Sequence, residues 1–490
     1  MRPRTLTEGS ISRGLFQFAL PTLFANVLQS LNGSVNSIWV GRYLGEAALT
    51  ATSNANTVMF LLIGAAFGIA MAATILVGQC IGASDLKEAK HVVGTSATFF
   101  FLISVIMAVA GWVMCEPLLA AMKTPADSLP LAVAYMRVIF LALPSMYMYA
   151  FVMSVLRGAG DAKTPFYFML LSVGIDIGLN PVFIFGIGPI PALGIGGSAL
   201  ATLLAQSISL IALVRHLYRR KHVLCLHADE LKLLRINGAI VGTLVRKGVP
   251  MGAQILVISL SAVLMITLVN RYGVETTAAF GASMQIWNYI QMPAFAVGMA
   301  VSAMAAQNVG AQKWDRVRST ARVGVLYSVV LTGSIVVVIE LLDKHALGLF
   351  LPPAAPALDI GSHINRVVTW SYVFFGFSMV LFGVVRATGA VIAPLLILTF
   401  TLLIVRFPAA AMLQSHYGAD AIWWSFPVSS GISAILAVLY YRFGNWRTAR
   451  MLAGVGGAAP ARGESAPAHG ESAPARGESA PARVESAPGA

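Results

Sequence analysis

Residues 66–83 read AFGIAMAATILVGQCIGA, and residues 294–311 read AFAVGMAVSAMAAQNVGA. The pairs Ala66-Phe67, Met71-Ala72 and Gly82-Ala83, with Gln79 among them, return as Ala294-Phe295, Met299-Ala300 and Gly310-Ala311, with Gln307 among them, at an offset of 228 residues. Working outward, the echo continues. Arg157, Gly160 and Pro165 return as Arg386, Gly389 and Pro394, and Pro21 with Arg42-Tyr43 returns as Pro250 with Arg271-Tyr272, each at an offset of 229. Three separate matches at a spacing of 228 or 229 make the chain two copies of one design.

Of the 490 residues, 57% are hydrophobic and 11% charged, and the mean hydropathy is +0.78. A soluble domain carries about 25% charged residues. A large core does not remove that need, because surface still demands polar cover. The outer surface therefore meets lipid. A helix crosses the hydrocarbon core in roughly 20 apolar residues. Apolar runs of at least that order lie near 15–40, 47–80, 92–115, 130–156, 165–187 and 195–218, and again near 240–270, 277–308, 320–342, 362–386, 391–415 and 420–443. The expected fold is an all-α polytopic membrane protein of about twelve transmembrane helices in two six-helix lobes. The lobes occupy residues 13–218 and 240–445. An even number of spans gives both lobes the same orientation, related by a pseudo-two-fold along the membrane normal with a cavity between them.

The net charge of +13 does not point to nucleic acid, because the basic residues sit in short clusters between apolar runs. Lys87 and Lys90, Arg157 and Lys163, the group from Arg215 to Lys247, and Lys313, Arg316, Arg318 and Arg322 fall in alternate connections. The other connections hold mainly Arg42, Lys123, Arg271 and Lys344. The positive-inside rule then puts both termini and the 219–239 linker in the cytoplasm, as expected for a multi-pass protein of the bacterial plasma (inner) membrane. Residues 1–12 form a polar N-terminus with no cleavable signal. Residues 446–490 are read as a disordered low-complexity tail, with Gly-Glu-Ser-Ala-Pro-Ala starting at Gly463, Gly470 and Gly477. Cys80, Cys115 and Cys225 show neither a disulfide framework nor zinc spacing. The expectation is a monomer without a cofactor or an enzymatic site.

Asp176 is the only acidic residue well inside an expected span. A charge at that depth costs at least ~2.5 kcal/mol on insertion scales, so it must face protein or water, or be neutralised. Asn180 follows one helical turn later on the same face. Pro181 cannot donate to the carbonyl of Ile177, which leaves that oxygen free. A carboxylate, an amide oxygen and a free carbonyl make a credible hard-cation site, sodium included, to which Thr202 could add a hydroxyl. A proton fits equally, since burial disfavours the charged form of a carboxyl. The plainer alternative is a buried Asp that ties helices together.

In the first span Asn26, Gln29, Ser30, Gly33, Asn36 and Ser37 share one face. Such a stripe either glues helices or lines a cavity with Asn36 near Asp176. Candidates for holding a substrate are Gln29, Asn26, Tyr147, Gln285, Asn288 and Trp370. Aromatic faces attract organic cations, the Met residues around Tyr147 adapt to varied shapes, and a lipid-facing amide would be costly. Arg157 with Asp161, and Arg386 in the repeated position, sit at cytoplasmic helix ends and are read as structural pairs or anchors, not as substrate ligands. Arg137 and Arg406 lie nearer span interiors, where snorkelling is the available account.

Several motifs, taken in order, resemble the MATE (multidrug and toxic compound extrusion) family of the MOP flippase superfamily. They are Val40-Gly41-Arg42-Tyr43-Leu44-Gly45, the two Gln-x-x-Gly-Ala stretches, Leu156-Arg157-Gly158-Ala159-Gly160-Asp161, Leu179-Asn180-Pro181 and Gly196-Gly197-Ser198-Ala199-Leu200-Ala201-Thr202. The resemblance covers about residues 10–445. It implies a V-shaped, two-lobed antiporter that exports small organic, often cationic, compounds in exchange for protons or sodium ions. This sequence departs from the family at three places. Val35-Asn36-Ser37 stands where an Asp is common, Asp176 precedes Asn180 in the order opposite to the usual one, and nothing acidic lies in 250–270 or 362–385.

An ATP-driven pump needs a Gly-x-x-x-x-Gly-Lys-Ser/Thr loop, and none is present. A lipid-intermediate flippase of the same superfamily is the nearest alternative and would carry several cavity Arg residues. A passive channel is the alternative from another class.

Overall fold

The computed structural model describes residues 6–189, 191–352 and 355–451. The repetitive tail from 452 onward lies outside the described residues. Fourteen α-helices follow one another, and there is no strand among the described residues. They are α1 Ile11–Gly82, α2 Leu86–Ala121, α3 Leu129–Gly158, α4 Lys163–Phe185, α5 Gly194–Arg219, α6 Gly238–Val269, α7 Val274–Gly310 and α8 Trp314–Leu341. The short α9 Asp343–Leu347 precedes α10 Ala357–Val368, α11 Ser371–Arg386 and α12 Ile392–Thr399. A π-helical segment, Phe400–Arg406, leads into α13 Phe407–Tyr417, and α14 Asp420–Phe443 closes the second lobe. Lipid offers the backbone no partner, so helices that satisfy their own amides are the form open to such a sequence.

Nine helices are long and apolar enough to span a membrane among the described residues, and α10 with α11, bent by 42°, makes a tenth. The expected first and second spans are one continuous α1, interrupted only at Gly45, where φ is 84°. Only glycine takes that conformation without strain. The chain reverses there, because Leu6 before the first limb and Gln79 at the end of the second both meet the far lobe at one face. The two limbs complete the expected twelve spans. The expected tenth span is broken around Thr369-Trp370, and the eleventh carries the π-helical turn.

The repeat is written into the backbone. Gly45 and Gly273 have φ of 84° and 91°, Gly160 and Gly389 have 85° and 101°, and Ser84 and Gln312 have 60° and 58°. Each pair is related by the spacing seen in the sequence. The second limb of α1 packs on α7 through small residues, Gly78 lying against Ala306 and the Ala303 carbonyl. Without a hydrophobic drive between helices in lipid, close backbone approach of this kind supplies the attraction.

Both described chain ends lie at the same basic face, and that face is sealed. Gln79 donates to the carbonyl of Ala387 at 2.7 Å, and Gln307 donates to the carbonyl of Gly158 at 2.9 Å. The two bonds are the same contact made once from each lobe. Of the polar N-terminal segment, residues 6–9 form a strap against the second lobe. The Leu6 amide donates to Gln307 Oε1 at 2.7 Å, Asn308 donates to the Leu6 carbonyl, and Lys313 and Arg316 donate to carbonyls of Thr7 and Gly9. The inter-lobe linker is ordered too. Its short 3-10 helix, Ala228–Leu234, is tied to α2 by Lys90–Glu230 at 2.7 Å. The expected tail begins too early at 446. Trp446 is buried, its ring nitrogen donates to the Tyr441 carbonyl and its carbonyl accepts from Thr388, because a large indole at this face finds a dry slot.

Candidate functional site

Asp176 sits midway along α4 and is 3% exposed. Its carboxylate collects donors from three helices. Asn32 and Asn36, one turn apart on the first limb of α1, donate to Oδ2 at 2.8 and 3.0 Å. Thr202 of α5 donates to Oδ1 at 3.1 Å, and Asn180 approaches Oδ1 at 3.4 Å. Asn180, itself fully buried, also donates to the Asp176 carbonyl at 2.8 Å and to Asn36 Oδ1 at 2.9 Å. No Lys, Arg or His pairs with Asp176 among the described residues. The amide oxygens of Asn32 and Asn180 are buried and accept nothing. Two orphan acceptors beside an unpaired carboxylate form a donor set that suits a hard cation or a proton.

The structure thus brings Asp176, Asn180, Asn36 and Thr202 together. It adds Asn32, which the sequence reading passed over. The signal was available, since Asn32 lies four residues before Asn36 and so on the same face.

Beside this ring lies a cavity of about 240 Å3 inside the first lobe. Asn26, Gln29 and Asn32 line it from α1, Tyr147 and Met153 from α3, and Phe166 and Asp176 from α4. Met299 reaches in from α7 of the second lobe. The Tyr147 hydroxyl donates to the Leu62 carbonyl at 2.8 Å, which fixes the ring at the wall. Gln285, Asn288 and Trp370 are elsewhere. All three are exposed on the second lobe, and Asn288 accepts from Gln291 at 3.0 Å.

The Arg157–Asp161 pair does not form. Asp161 accepts from the amides of Lys163 and Thr164 at 3.0 Å and from the Thr164 hydroxyl, opening α4 as a cap. A short acidic side chain just before a helix satisfies its free amides more readily than it reaches back to a guanidinium. Arg157 bonds its own helix at the Met153 carbonyl and lines the cavity. Its counterpart Arg386 is buried and donates to Gln254 Oε1 at 3.0 Å. Arg406 lies on the span that corresponds to α4, where it donates to Ser429 at 2.8 Å and stands 4.4 Å over the Phe426 ring. Arg137 pairs with Glu116 at 3.7 Å and lies over Trp112. The second lobe has acidic groups that the reading of its spans left out. Asp343 accepts from Asn365 at 2.9 Å, and Glu340 accepts from Thr369, near the end of the lobe away from the seal.

A family model, MatE, matches residues 21–182 and 250–412. The chain is 37% identical over 440 residues to the probable multidrug resistance protein YoeA of Bacillus subtilis, covering 89% of this chain and 95% of that one. It is 29% identical over 452 residues to the probable multidrug resistance protein YpnP of the same organism, covering 92% and 99%. Among solved structures, an outward-facing multidrug resistance transporter of the MOP superfamily aligns with a TM-score of 0.83 over 90% of this chain and 97% of that one, at 19% identity.

Proposed function

The chain belongs to the MATE family of membrane transporters, and from that premise we propose that it is a secondary antiporter, exporting small organic compounds in exchange for a cation, proton or sodium ion, held at Asp176. The observation that carries this reading is the Asp176 carboxylate, buried in a ring of neutral donors with no counter-cation among the described residues. A buried charge without a partner is a group waiting for one. Arg406 on the corresponding span of the second lobe carries the opposite charge, which supports a cation site in the first lobe only.

Asn32 and Asp176 belong both to the ring and to the cavity wall. A cation that neutralises the carboxylate reorients the same amide that a substrate would touch, so the two occupants compete for one set of side chains. Asn26, Gln29 and Tyr147 supply polar contacts on that wall, and Met153, Phe166 and Met299 supply adaptable apolar ones. In this reading the sealed basic face lies in the cytoplasm of a bacterial plasma membrane, which supports an outward-facing state. Exchange requires the Gln79 and Gln307 contacts to open.

The test is uptake of a fluorescent organic cation into inside-out vesicles, with proton and sodium gradients imposed separately. Asp176→Asn keeps the size of the side chain and removes its charge. The expected result is normal insertion with gradient-driven uptake reduced at least a hundredfold. Full uptake by that variant, under either gradient, would defeat the proposal.

A further inference from the structure

Two charged groups border the first-lobe cavity, and they have opposite signs. Asp176 stands 13 residues along α4 from Lys163, roughly 20 Å deeper at 1.5 Å per residue. Arg157 lies at the other end, in the last turn of α3 beside the seal. Among the described residues only its Nε has a bond, to the carbonyl of Met153 at 3.3 Å. No carboxylate pairs with it among the described residues, and the nearby Asp161 is committed to the start of α4. A second group points the same way. Tyr149 lines the same cavity and is 4% exposed, yet its hydroxyl has no hydrogen-bond partner among the described residues. A buried hydroxyl left unpaired is rare, and a guanidinium fork is matched to planar or tetrahedral oxyanions.

We propose that the seal-side end of this cavity binds an anionic group, a carboxylate or phosphate, through Arg157 and Tyr149. The exported compounds would then include amphipathic organic acids and zwitterions, and not only cations. Phe166, Met153 and Met169 flank the aromatic or aliphatic body that joins the acid to the rest of the molecule. The word exported rests on the antiport reading above, whereas the binding itself does not. In the repeated position Arg386 is buried and donates to Gln254 Oε1.

The experiment measures equilibrium binding by fluorescence polarisation to the purified full chain. The probes are a rhodamine bearing a free carboxylate and its methyl ester, which share one aromatic body. The wild-type protein should bind the carboxylate dye about tenfold more tightly than the ester. Arg157→Gln should erase that preference and leave the ester unchanged, and Arg157→Lys should restore part of it. Tyr149→Phe removes a hydroxyl that bonds nothing in the fold, so it should fold normally and lower carboxylate binding about threefold. Equal binding of the two dyes by the wild type, or an equal loss of both in Arg157→Gln and Tyr149→Phe, would overturn the proposal. The binding is repeated in nanodiscs of neutral lipid and of phosphatidylglycerol. Preference kept in both supports a subsite for soluble compounds. Preference lost only with phosphatidylglycerol assigns the subsite to a lipid headgroup and overturns export through it. Asp176→Asn in the same assay should keep the dye preference while losing driven uptake, so failure of the coupling reading and failure of the anion subsite give different results.

Discussion

Gly82 and Gly310 form one of the crossings at which the two lobes meet backbone to backbone, Gly68 against Gly248 and Gly252 being another, and adding one methyl group at Gly82 should open the seal. A Cβ at Gly82 would lie 1.9 Å from the Gln307 carbonyl oxygen, and one at Gly310 would lie 2.0 Å from that of Gln79. Ordinary contact begins at 3.4 Å, so the crossing must part by roughly 1.5 Å. Stretched by that amount, the 2.7 and 2.9 Å bonds from Gln79 and Gln307 pass 4 Å and cease to be hydrogen bonds. Each lost bond is worth about 0.5–1.5 kcal/mol net, and each buried partner left empty costs about 1–3 kcal/mol. Gly82→Ala should therefore weaken the sealed form by about 3–5 kcal/mol, two to three and a half powers of ten in its population at about 1.4 kcal/mol per tenfold. Spin labels at Lys87 and Asp315 would report it. Both side chains are exposed, and they are equivalent positions in the two lobes. Pulsed electron resonance should show their separation lengthen in Gly82→Ala, and shift part of the way in the double variant Gln79→Ala, Gln307→Ala, which removes the bonds without adding bulk. An unchanged distance distribution in both folded variants would refute the idea that these contacts hold the lobes together.

Two further outcomes follow from smaller features. Asn32→Ala removes a 2.8 Å bond to Asp176 Oδ2; hydrogen bonds to charged groups are worth about 1.5–3 kcal/mol, so apparent affinity for the driving cation should change tenfold or more in vesicle uptake at graded gradients, while a change under twofold would remove Asn32 from the site. Hydrogen bonds from Lys90 and the His227 backbone hold the Glu230 carboxyl down at about 2. The linker tether is thus fully present above the ordinary carboxylate range and is lost only as pH falls toward 2. Hydrogen exchange of 228–234, corrected for intrinsic rates, should show equal protection at pH 5 and pH 7 and a loss at both in Glu230→Gln. Protection that fades by pH 5 would contradict the pairing.

The repeat was legible because it recurs in residue type at positions where the backbone admits few types. Gly45 and Gly273 must turn with positive φ, and Gly82 and Gly310 must let a carbonyl through. The ring around Asp176 was legible in part, since Asp176, Asn180 and Asn36 are rare polar groups in apolar runs. Asn32 was missed because the stripe on the first span was drawn with Gly33 and Ser37 at its centre. At 100° per residue Asn32 falls about 40° past its edge, still beside Asn36. Arg157 was misread for a different reason. A charge pair four residues apart looks satisfied in a sequence, but α3 ends between these two residues, and the Asp is used to cap the helix that follows. The placing of Gln285, Asn288 and Trp370 outside the cavity depends on how α7 and α10–α11 are rotated, which packing decides and periodicity does not.

The symmetric and asymmetric parts of the molecule meet in one turn of helix. The seal is symmetric, since each lobe gives one glutamine and receives one. The charges are not, since Asp176 and Arg157 line the first-lobe cavity while Arg406 stands on the span of the second lobe that corresponds to α4. A bound compound can bias the seal only by binding its sealed and open forms unequally. The last turn of α3 lets it do so. Ser154 and Arg157 border the cavity, Thr74 holds the Ser154 carbonyl at 3.0 Å, and the next residue, Gly158, presents its carbonyl to Gln307 of the other lobe. A ligand that pulls on Arg157 pulls on the residue before the clasp. In the second lobe Arg386 donates to Gln254 and does not line this cavity, so Ala387 anchors Gln79 apart from it. One clasp is tied to the cavity and the other is not, so an occupant of the first lobe has one side from which to loosen the seal.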